Sequence, residues 1–455
     1  MKAAVTVVGG GLAGAEAAWQ AAARGVRVVL HEMRPERSTG AHRTPWLAEL
    51  VCSNSLGSRL PDRAAGVLHA ELRAMGSLLL REAESCAVPA GTALAVDREV
   101  FARRATEAVE ASPSIRVVRG EVGEVPDGIV VLAAGPLASP ALSDSLRRLA
   151  GRDHLFFYDA LAPIVRGASI DRSIAFSASR FGRGGSVEGD YLNAPLDRAE
   201  YEAFVDALLG ARRFPLRAFE SAIDQGVDAG RGPFFEGCLP VEVLAARGRD
   251  ALAFGPMRPV GLTDPRTGRR PHAVVQLRRE DAAGERWNLV GFQTNLLHAE
   301  QERVFRTIPG LARAEFARHG QMHRNTFLDA PALLRPTLQF RDDGRRFAAG
   351  QLAGVEGYAG AIATGLLAGW NAARLARGLE PVVPPPETML GGLCRALAEG
   401  DPDRFQPVKA HFGLVPPAPA PPPRGARARA AAQAARAREA MARFVEDAGD
   451  PPAAP

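Results

Sequence analysis

The chain begins with a strand–glycine–helix pattern, and this pattern constrains the fold more than any other feature of the sequence. Residues 3–8 (AAVTVV) form an apolar, β-branched run that predicts a buried parallel strand, and residues 15–24 predict a helix. Gly9, Gly11 and Gly14 lie between them with the spacing GxGxxG. In such a turn the first glycine permits the bend, the second lets backbone approach a pyrophosphate, and the third lets the helix pack closely on the sheet. The pattern predicts a Rossmann-like α/β domain.

A second predicted strand, residues 26–30, ends just before an acidic residue. Glu32 stands where a carboxylate accepts hydrogen bonds from the ribose hydroxyls of a dinucleotide. The N-terminus of the intervening helix attracts the pyrophosphate. The expected cofactor-binding residues of this unit are Gly9, Gly10, Gly11, Leu12, Ala13, Gly14, Glu32, Met33 and Arg34.

Two later segments indicate which dinucleotide is bound. Residues 129–134 (IVVLAA) predict a strand that closes on Gly135, and residues 115–122 predict another strand of the same sheet. Near the C-terminus, a short strand enters the glycine-rich turn that holds Gly350 and Gly357, and a helix follows. A second glycine turn before a helix suits the middle of a long dinucleotide such as FAD. No second complete GxGxxG unit appears, so any NADPH or NADH would visit the flavin only briefly.

Length and composition indicate a soluble protein of two or three domains. The chain has 455 residues, of which 46% are hydrophobic and 24% charged. No apolar run is long enough to span a bilayer, and we expect a cytoplasmic protein. The net charge of +5 permits a polyanionic partner. Because Lys2 and Lys409 are the only lysines, the abundance of arginine is explained equally well by codon bias.

The two glycine-rich ends enclose a region whose sequence predicts a mixture of short strands and helices. The cofactor domain is therefore expected to be discontinuous. Residues 273–277 and 287–292 predict a strand pair within that region. The expected divisions are an FAD-binding domain of the glutathione-reductase type in residues 1–158 and 335–415, an inserted α/β substrate domain in 159–334, and a proline-rich linker with an arginine-rich helical tail in 416–455.

The four cysteines, Cys52, Cys86, Cys238 and Cys394, are far apart and form no CxxC or Cys/His cluster. This spacing predicts reduced thiols, with neither a disulfide framework nor a zinc site. Cys52 lies in the polar run VCSNSL, while Cys394 is most simply a core residue of a helix. Cys238 precedes a predicted helix, where a thiol pKa can be lowered, although a packed cysteine at a turn fits equally well.

A cluster of polar residues, RHGQMHRNTF, contains His319, His323, Arg324 and Asn325. The two histidines have no acidic or thiol third ligand nearby, so we expect no metal site. One helix face or one loop is expected to carry both of them. His323, Arg324 and Asn325 are candidates for contact with a substrate.

A flavin beside reduced thiols supports two broad kinds of chemistry. Disulfide reductases use a close cysteine pair, commonly CxxxxC, and Cys52 has no such neighbour. Modification of a pyrimidine at C5 uses one thiolate that adds to C6, after which C5 takes a one-carbon electrophile and loses its proton to a base. If that electrophile is a methylene group, a hydride completes the methyl group, and reduced flavin can supply it.

The sequence resembles the folate- and FAD-dependent tRNA (uracil-5-)-methyltransferase family, TrmFO, over nearly the whole chain except the C-terminal tail. The GGGLAG motif is common to many flavoproteins, whereas CSNS and FEGCLPVE are far more particular. The stretches that carry the resemblance are VVGGGLAGAEAAW at 7–19, HEMRP at 31–35, AELVCSNSL at 48–56, PAGTALAVDREVF at 89–101, FFEGCLPVEVLAARG at 234–248, FGPMRPVGLTDPRTG at 254–268, MHRNTFLDAP at 322–331 and AAGQLAGVEGYAGAIATGLLAGWNAA at 348–373.

The resemblance implies that Cys52 and Cys238 are the two functional thiols. It suggests that Cys238 attacks uracil C6 and that Cys52 assists beside the flavin, with the reverse assignment left open. It further implies methylenetetrahydrofolate as the carbon donor, FAD and NADPH or NADH for the electrons, and the T-loop uridine in the T-arm of tRNA as the target. We expect no stable protein partner and no membrane association.

Two other functions are compatible with the same motifs. One is a wobble-uridine-modifying FAD and folate enzyme, and the other is a non-catalytic RNA-binding flavoprotein. The arginine-rich tail predicts a helix that is either a solvated appendage or an RNA contact, and the resemblance supports neither.

Overall fold

The computed structural model describes residues 5–151, 155–184, 189–214, 239–402, 405–417 and 423–449, with the backbone alone for 155–159 and 324. Its strands, numbered in chain order, are β1 (Val5–Val8), β2 (Val28–Glu32), β3 (Ser55–Ser58), β4 (Ala87–Val88), β5 (Ala93–Val96), β6 (Ile115–Arg119), β7 (Val130–Leu132), β8 (Leu155–Ala160), β9 (Ile164–Arg166), β10 (Phe176–Ala178), β11 (Tyr191–Leu196), β12 (Ala273–Arg279), β13 (Arg286–Leu289), β14 (Phe316–Arg318), β15 (Met322–Phe327), β16 (Arg346–Ala348), β17 (Val355–Glu356) and β18 (Val408–Lys409). Its helices are α1 (Leu12–Ala23), α2 (Ala64–Ala74), α3 (Leu78–Ser85), α4 (Arg98–Ala111), α5 (Pro140–Ala150), α6 (Arg198–Leu209), α7 (Val241–Ala246), α8 (Ala251–Phe254), α9 (His298–Phe305), α10 (Ala330–Leu333), α11 (Tyr358–Ala376), α12 (Met389–Glu399) and α13 (Ala426–Asp447).

The first sheet is parallel and has the order β16-β7-β1-β2-β6. Its central strands are apolar and buried on both faces, as expected for a parallel sheet covered by helices. The strand β16 comes from far along the chain and pairs beside β7. The predicted α/β fold with a Rossmann-type sheet is therefore confirmed.

The predicted elements of this sheet are present, with shifted ends. The first helix begins at Leu12, three residues before the predicted start, because the glycine turn leads directly into helical backbone. The second strand extends through Glu32, so the acidic residue is its last member. The helix predicted after the second glycine turn is α11, which starts at Tyr358, directly after Gly357.

The second sheet has six strands in the order β10-β11-β12-β13-β9-β14, and its pairings are antiparallel. The predicted strand pair is confirmed as β12 and β13. Buried apolar side chains form two main clusters, one around the parallel sheet and one between the second sheet and its helices α6, α7 and α9. Each sheet thus has its own hydrophobic core.

A two-stranded ladder, β8 with β15, lies where the chain passes between the two sheets. The N–H of Thr326 donates to the carbonyl of Pro136, just after the end of β7. His323 is therefore on a strand, which corrects the expectation that one helix face or one loop carries both histidines. The long-range pairing with β8 overrides the weak local preference of this polar segment.

Two helices of the parallel-sheet region, α1 and α11, pack along each other through glycines. A Cβ at Gly365 would lie 2.2 Å from the carbonyl oxygen of Ala13, and one at Gly369 would lie 2.2 Å from that of Ala17. Since both contacts advance by four residues in the same direction, the two helices are parallel. Their N-termini therefore face the same side of the molecule.

The C-terminal tail forms the helix α13, which packs against α2. No helix within the described ranges has the length and apolar character needed to cross a membrane.

Candidate active site

The first glycine turn combines one tightly closed position with one open position. A Cβ at Gly14 would lie 1.7 Å from the carbonyl oxygen of Gly9, so the helix can approach the strand only without a side chain there. A Cβ at Gly11 would meet no atom of the described residues within 4 Å. The space over Gly11 is where the spacing predicts a pyrophosphate.

Glu32 is held as a carboxylate beneath this turn. It accepts the N–H of Gly10 at 2.9 Å on one oxygen, and the N–H and Nε–H of Arg34 at 2.9 and 2.8 Å on the other. Burial raises the pKa of Glu32, but the bonds to Arg34 and Gly10 outweigh it and leave the pKa below its usual value. Because a carboxylate offers about four acceptor positions, one remains for a ribose hydroxyl.

Arg34 links two carboxylates. Its side chain is buried between Glu32 and Glu49, which it contacts at 2.8 and 2.9 Å. Arg34 is one of the residues expected to bind the cofactor, and its side chain hydrogen-bonds to Glu32, the residue expected to contact the ribose. Met33 follows directly after β2 and is partly exposed.

The second glycine turn lies against the first. A Cβ at Gly350 would come within 2.8 Å of the Ala13 side chain, and the N–H of Gly350 donates to Thr364 Oγ1 at 3.0 Å. Gly357 forms the N-cap of α11, and like Gly135 it has positive φ and no described atom within 4 Å of an added Cβ.

The N-termini of α1 and α11 lack a side-chain cap among the described residues, and the caps of both are glycines. Their first N–H groups are therefore available to an anion, and both helix dipoles present their positive ends on the same side. Together with the space over Gly11 and the spare acceptor of Glu32, this arrangement fits FAD.

The loop that carries Cys52 is hydrogen-bonded to the side chain of Tyr358, the first residue of α11. The N–H groups of Cys52 and Ser53 donate to Tyr358 Oη at 2.8 and 3.1 Å. Burial and the neighbouring Cys52 raise the pKa of Tyr358 above its usual value, so the phenol is neutral. These hydrogen bonds fix the backbone of the Cys52 loop to the side chain of the first residue of α11.

Two arginines also hold the Cys52 loop in place through hydrogen bonds. Arg98 donates to the carbonyl of Leu50 and, at 3.3 Å, to that of Cys52, and it pairs with Glu280 at 2.6 Å. Arg278 donates to Asn54 Oδ1 and Ser53 Oγ, each at 2.8 Å. Arg278 belongs to β12, and Glu280 is the residue after that strand. The Cys52 loop is therefore hydrogen-bonded to a strand of the second sheet as well as to the helices α4 and α11.

A group of basic side chains lies near this loop. Burial, with the charges of Arg98 and Arg43, lowers the pKa of Arg318 to about 10, and the charge of Cys52 acts on it too. Burial, with Arg318 and His42, lowers the pKa of His323 to about 4, so this imidazole is neutral at pH 7. Its Nε2 is buried with no hydrogen-bond partner among the described residues.

The remaining predicted residues fall in different places. Asn325 is buried on β15, next to Arg324, of which only the backbone is described. His319 lies elsewhere, stacked on His298 and 3.1 Å from Glu302. Cys394 is fully buried, which confirms its assignment to the core.

Cys238 lies outside the described residues. The helix predicted after it is present as α7, whose Glu242 accepts bonds from Thr294 and Asn295. None of the three cysteines that the structure describes is in a disulfide. The described residues contain no group of His, Cys, Asp and Glu suited to a metal ion.

Sequence reasoning missed Tyr358, Arg98, Arg278 and Arg318 as parts of this site. Tyr358 and Arg98 stand inside the motif stretches at 348–373 and 89–101, which was the available signal. Nothing local marks Arg278 or Arg318, since both are brought to the Cys52 loop by strands of the second sheet.

Comparisons with known proteins agree with this geometry. The family described as Glucose inhibited division protein A (GidA) matches residues 4–380. The methylenetetrahydrofolate--tRNA-(uracil-5-)-methyltransferase TrmFO of Synechococcus sp. is 56% identical over 412 residues, covering 90% of this chain and 87% of that protein. TrmFO of Moorella thermoacetica is 56% identical over 414 residues, covering 91% and 92%.

Among solved structures, Aquifex aeolicus GidA in its form I crystal has the same fold, with a TM-score of 0.71 and 18% identity over 99% of this chain and 76% of that one. The family match over residues 4–380 and the long matches to TrmFO proteins lead to one conclusion: the chain belongs to the GidA family and, within it, to the TrmFO group.

Proposed function

We propose that this protein methylates uracil C5 in tRNA, with methylenetetrahydrofolate as carbon donor and FAD plus NADPH or NADH as reductant. The observation that carries the proposal is the position of Cys52, which is bonded through its N–H to Tyr358 at the glycine-capped N-terminus of α11. A cysteine whose backbone is fixed near the expected flavin site supports pyrimidine methylation, and a pure RNA binder has no evident use for it. The more than 50% identity to TrmFO proteins supports the same activity.

The chemistry assigns separate tasks to the chain's residues. A thiolate, assigned to Cys238, adds to uracil C6, and the electron pair that reaches C5 bonds to the methylene carbon. A base then takes the C5 proton as the bond between the methylene carbon and the nitrogen that delivered it breaks, which leaves an exocyclic methylene on C5. A hydride adds to this methylene, the C5=C6 double bond re-forms, and the C6–S bond breaks to release the thiolate. We assign the proton step to Cys52. Bound FAD would supply the hydride that completes the methyl group.

The backbone amides at the two helix N-termini, together with Glu32, would hold the FAD. His323 and Asn325 are assigned to the substrate side, where the unsatisfied Nε2 of His323 offers a polar contact. The side chains of Arg98 and Arg278 do not react in this scheme, since their bonds to the Cys52 loop fix its position.

The target within tRNA is the T-loop uridine in the T-arm, in the cytoplasm. The boundaries at residues 158, 334 and 415 remain our proposed division between cofactor domain, substrate domain and tail.

A methylation assay tests the activity. The purified protein should be yellow and should convert tRNA uridine to 5-methyluridine when methylenetetrahydrofolate and NADPH are supplied. Mass analysis of T-arm fragments should place the product in the T loop. Methylation that requires S-adenosylmethionine would refute the proposal, and product in the anticodon loop would instead favour the wobble-uridine enzyme.

Cysteine variants test the assignment of the thiols. Cys52→Ala and Cys238→Ala should each abolish turnover while FAD remains bound. Cys86→Ala is the matched control, because this cysteine is the C-cap of α3 and its thiol donates to the carbonyl of Glu82. Full activity in either of the first two variants would remove that residue from the mechanism.

A further inference from the structure

The C-terminal helix α13 is a fixed part of the fold. Its residues Ala434, Ala437, Ala440 and Met441 are buried. The ring of Phe444 lies 5.6 Å from that of Trp370 in α11. The tail is therefore not a free appendage, and its exposed side chains occupy defined positions.

Two contacts at its ends set the direction of this helix. Near the start, Arg427 pairs with Asp62 at 3.1 Å, in the loop before α2. At the end, the carbonyl of Ala448 accepts a bond from Arg374 at 3.1 Å, near the C-terminus of α11. Since α11 starts at Tyr358 beside Cys52 and ends near Arg374, the beginning of α13 points toward the side of the candidate active site.

The chain also limits the distance from this end of α13 to the active-site loop. Ten residues separate Cys52 from Asp62, and they include β3. Ten residues reach at most about 35 Å when fully extended. Asp62 therefore lies at most about 35 Å from the Cys52 backbone, and the start of α13 is joined to Asp62 by the ion pair with Arg427.

Several exposed arginines lie close in the chain to the Arg427–Asp62 pair, and together we call them the arginine surface. Its members are exposed and come from two separate segments, the loop before α2 and the start of α13: Arg59, Arg63, Arg424, Arg427 and Arg429. Within the described ranges only Arg427 among them forms an ion pair. Exposed arginines elsewhere often have acidic partners, as Arg198 does with Glu202 and Arg249 with Asp206.

The position of these charges is unfavourable for the helix itself. The first turn of α13 contains no acidic residue, and its arginines lie at the positive end of the helix dipole. Cations stabilise a helix at the opposite end. Helix stability therefore gives no reason for this arrangement, whereas an anionic partner does.

We propose that the arginine surface binds phosphates of the tRNA backbone outside the reacting loop. The inference rests on the proposed function, which supplies a structured polyanion whose reacting base must reach the Cys52 loop. Arginine contacts to phosphates orient a nucleic acid without reading its sequence. A stem that enters the site carries phosphates along its whole length, so a basic surface within about 35 Å of Cys52 meets them.

The test compares two pairs of arginines, one at the start of α13 and just before it, and one in its second half. Arg424→Gln with Arg429→Gln removes two charges from the arginine surface and leaves the Arg427–Asp62 pair intact. Arg438→Gln with Arg443→Gln is the matched control, since both are exposed and lie in the half of α13 that also holds Glu439, Glu446 and Asp447. The affinity for tRNA is measured by filter binding between 50 and 200 mM salt, and methylation is measured separately.

The salt slope is the slope of the logarithm of the tRNA affinity against the logarithm of the salt concentration. The first double variant should lower the size of this slope by about one unit per lost phosphate contact. The ratio of wild-type to variant affinity should therefore change about tenfold across this salt range. KM for tRNA should rise with kcat retained, and the control pair should behave like the wild type. Equal salt slopes for the first pair and the wild type would overturn the inference, as would equal losses in both pairs.

The inference would also be overturned if the first double variant lost binding to anionic phospholipid vesicles but bound tRNA like the wild type. That result would favour a membrane partner. A wild type that binds tRNA with the expected salt slope, lost in the first pair, but never methylates it would support the surface and refute the proposed function. The two proposals therefore fail separately.

Discussion

Replacing Gly11 with alanine separates the fold from the cofactor site, because the structure gives this glycine no role in packing. The backbone at Gly11 has φ −69° and ψ −168°, which any L-residue adopts, and an added Cβ meets no described atom within 4 Å. We expect the unfolding free energy of the apoprotein to be unchanged or raised by about 0.4–1 kcal/mol, since alanine restricts the unfolded chain.

FAD affinity should respond in the opposite direction. The methyl group would occupy the space that the pyrophosphate needs to reach the first N–H groups of α1. Loss of one hydrogen bond to a charged group is worth about 1.5–3 kcal/mol, which corresponds to a dissociation constant roughly 10- to 100-fold higher. Fluorescence titration of the apoprotein with FAD measures this change, and thermal unfolding of the same preparation measures stability.

Gly14→Ala is the contrasting variant within the same motif. Its Cβ would lie 1.7 Å from the Gly9 oxygen, so α1 must move away from the sheet, and overpacking of this kind costs about 1–3 kcal/mol. That variant should lose stability with or without FAD. Gly210→Ala, at φ −80° in α6's C-cap, controls for the substitution itself. A folded Gly11→Ala protein that binds FAD within twofold of the wild type would refute the reasoning.

Two further predictions concern buried charges. Burial raises the pKa of Glu71 to about 8 although it accepts the N–H groups of Met389 and Leu390, so the folded state binds more protons than the unfolded state between about pH 5 and 8. The free energy of unfolding should fall with rising pH in that window by up to about 1.4 kcal/mol per unit, and Glu71→Gln should flatten the profile in urea titrations; identical slopes would contradict this. Arg98→Ala leaves the buried Glu280 without its cation and should destabilise the protein by about 3–5 kcal/mol, while adding Glu280→Gln should restore part of the loss in the same assay. No recovery in the double variant would show that the backbone bonds of Arg98, and not the ion pair, carry its contribution.

The sequence predicts the first βαβ unit well because its determinants are local. The apolar strands, the glycine spacing and Glu32 all fall within the first 32 residues, and each acts on its neighbours in the chain. The surroundings of Cys52 follow a different rule. Its N–H bonds to a tyrosine 306 residues away, and its loop is held by Arg278 from another sheet. No periodicity or spacing encodes such contacts, so motif stretches could point to the loop but not to its partners.

The tail shows a related limit. Alanine is both the strongest helix former and a small apolar residue, so the run from Ala430 to Ala437 predicts a helix without indicating which face is buried. The contact of Phe444 with Trp370 selects that face. Once the face is fixed, the arginines at the start of the helix are fixed too. The structure thus gives these arginines defined positions on the surface, which the composition alone does not.

The parallel packing of α1 and α11 connects fold and cofactor directly. Glycines at 365 and 369 let the two helices approach so closely that their aligned dipoles lie side by side, which is electrostatically unfavourable. Both N-termini lack side-chain caps in the part of the chain described here, so the first N–H groups of the two helices are not paired with a capping side chain. An anionic pyrophosphate would pair with these groups, and ligand bound only by the folded state adds about 2.7 kcal/mol at a concentration 100 times its dissociation constant. The helix pair therefore gains stability when the cofactor binds, which accounts for glycine caps at both termini.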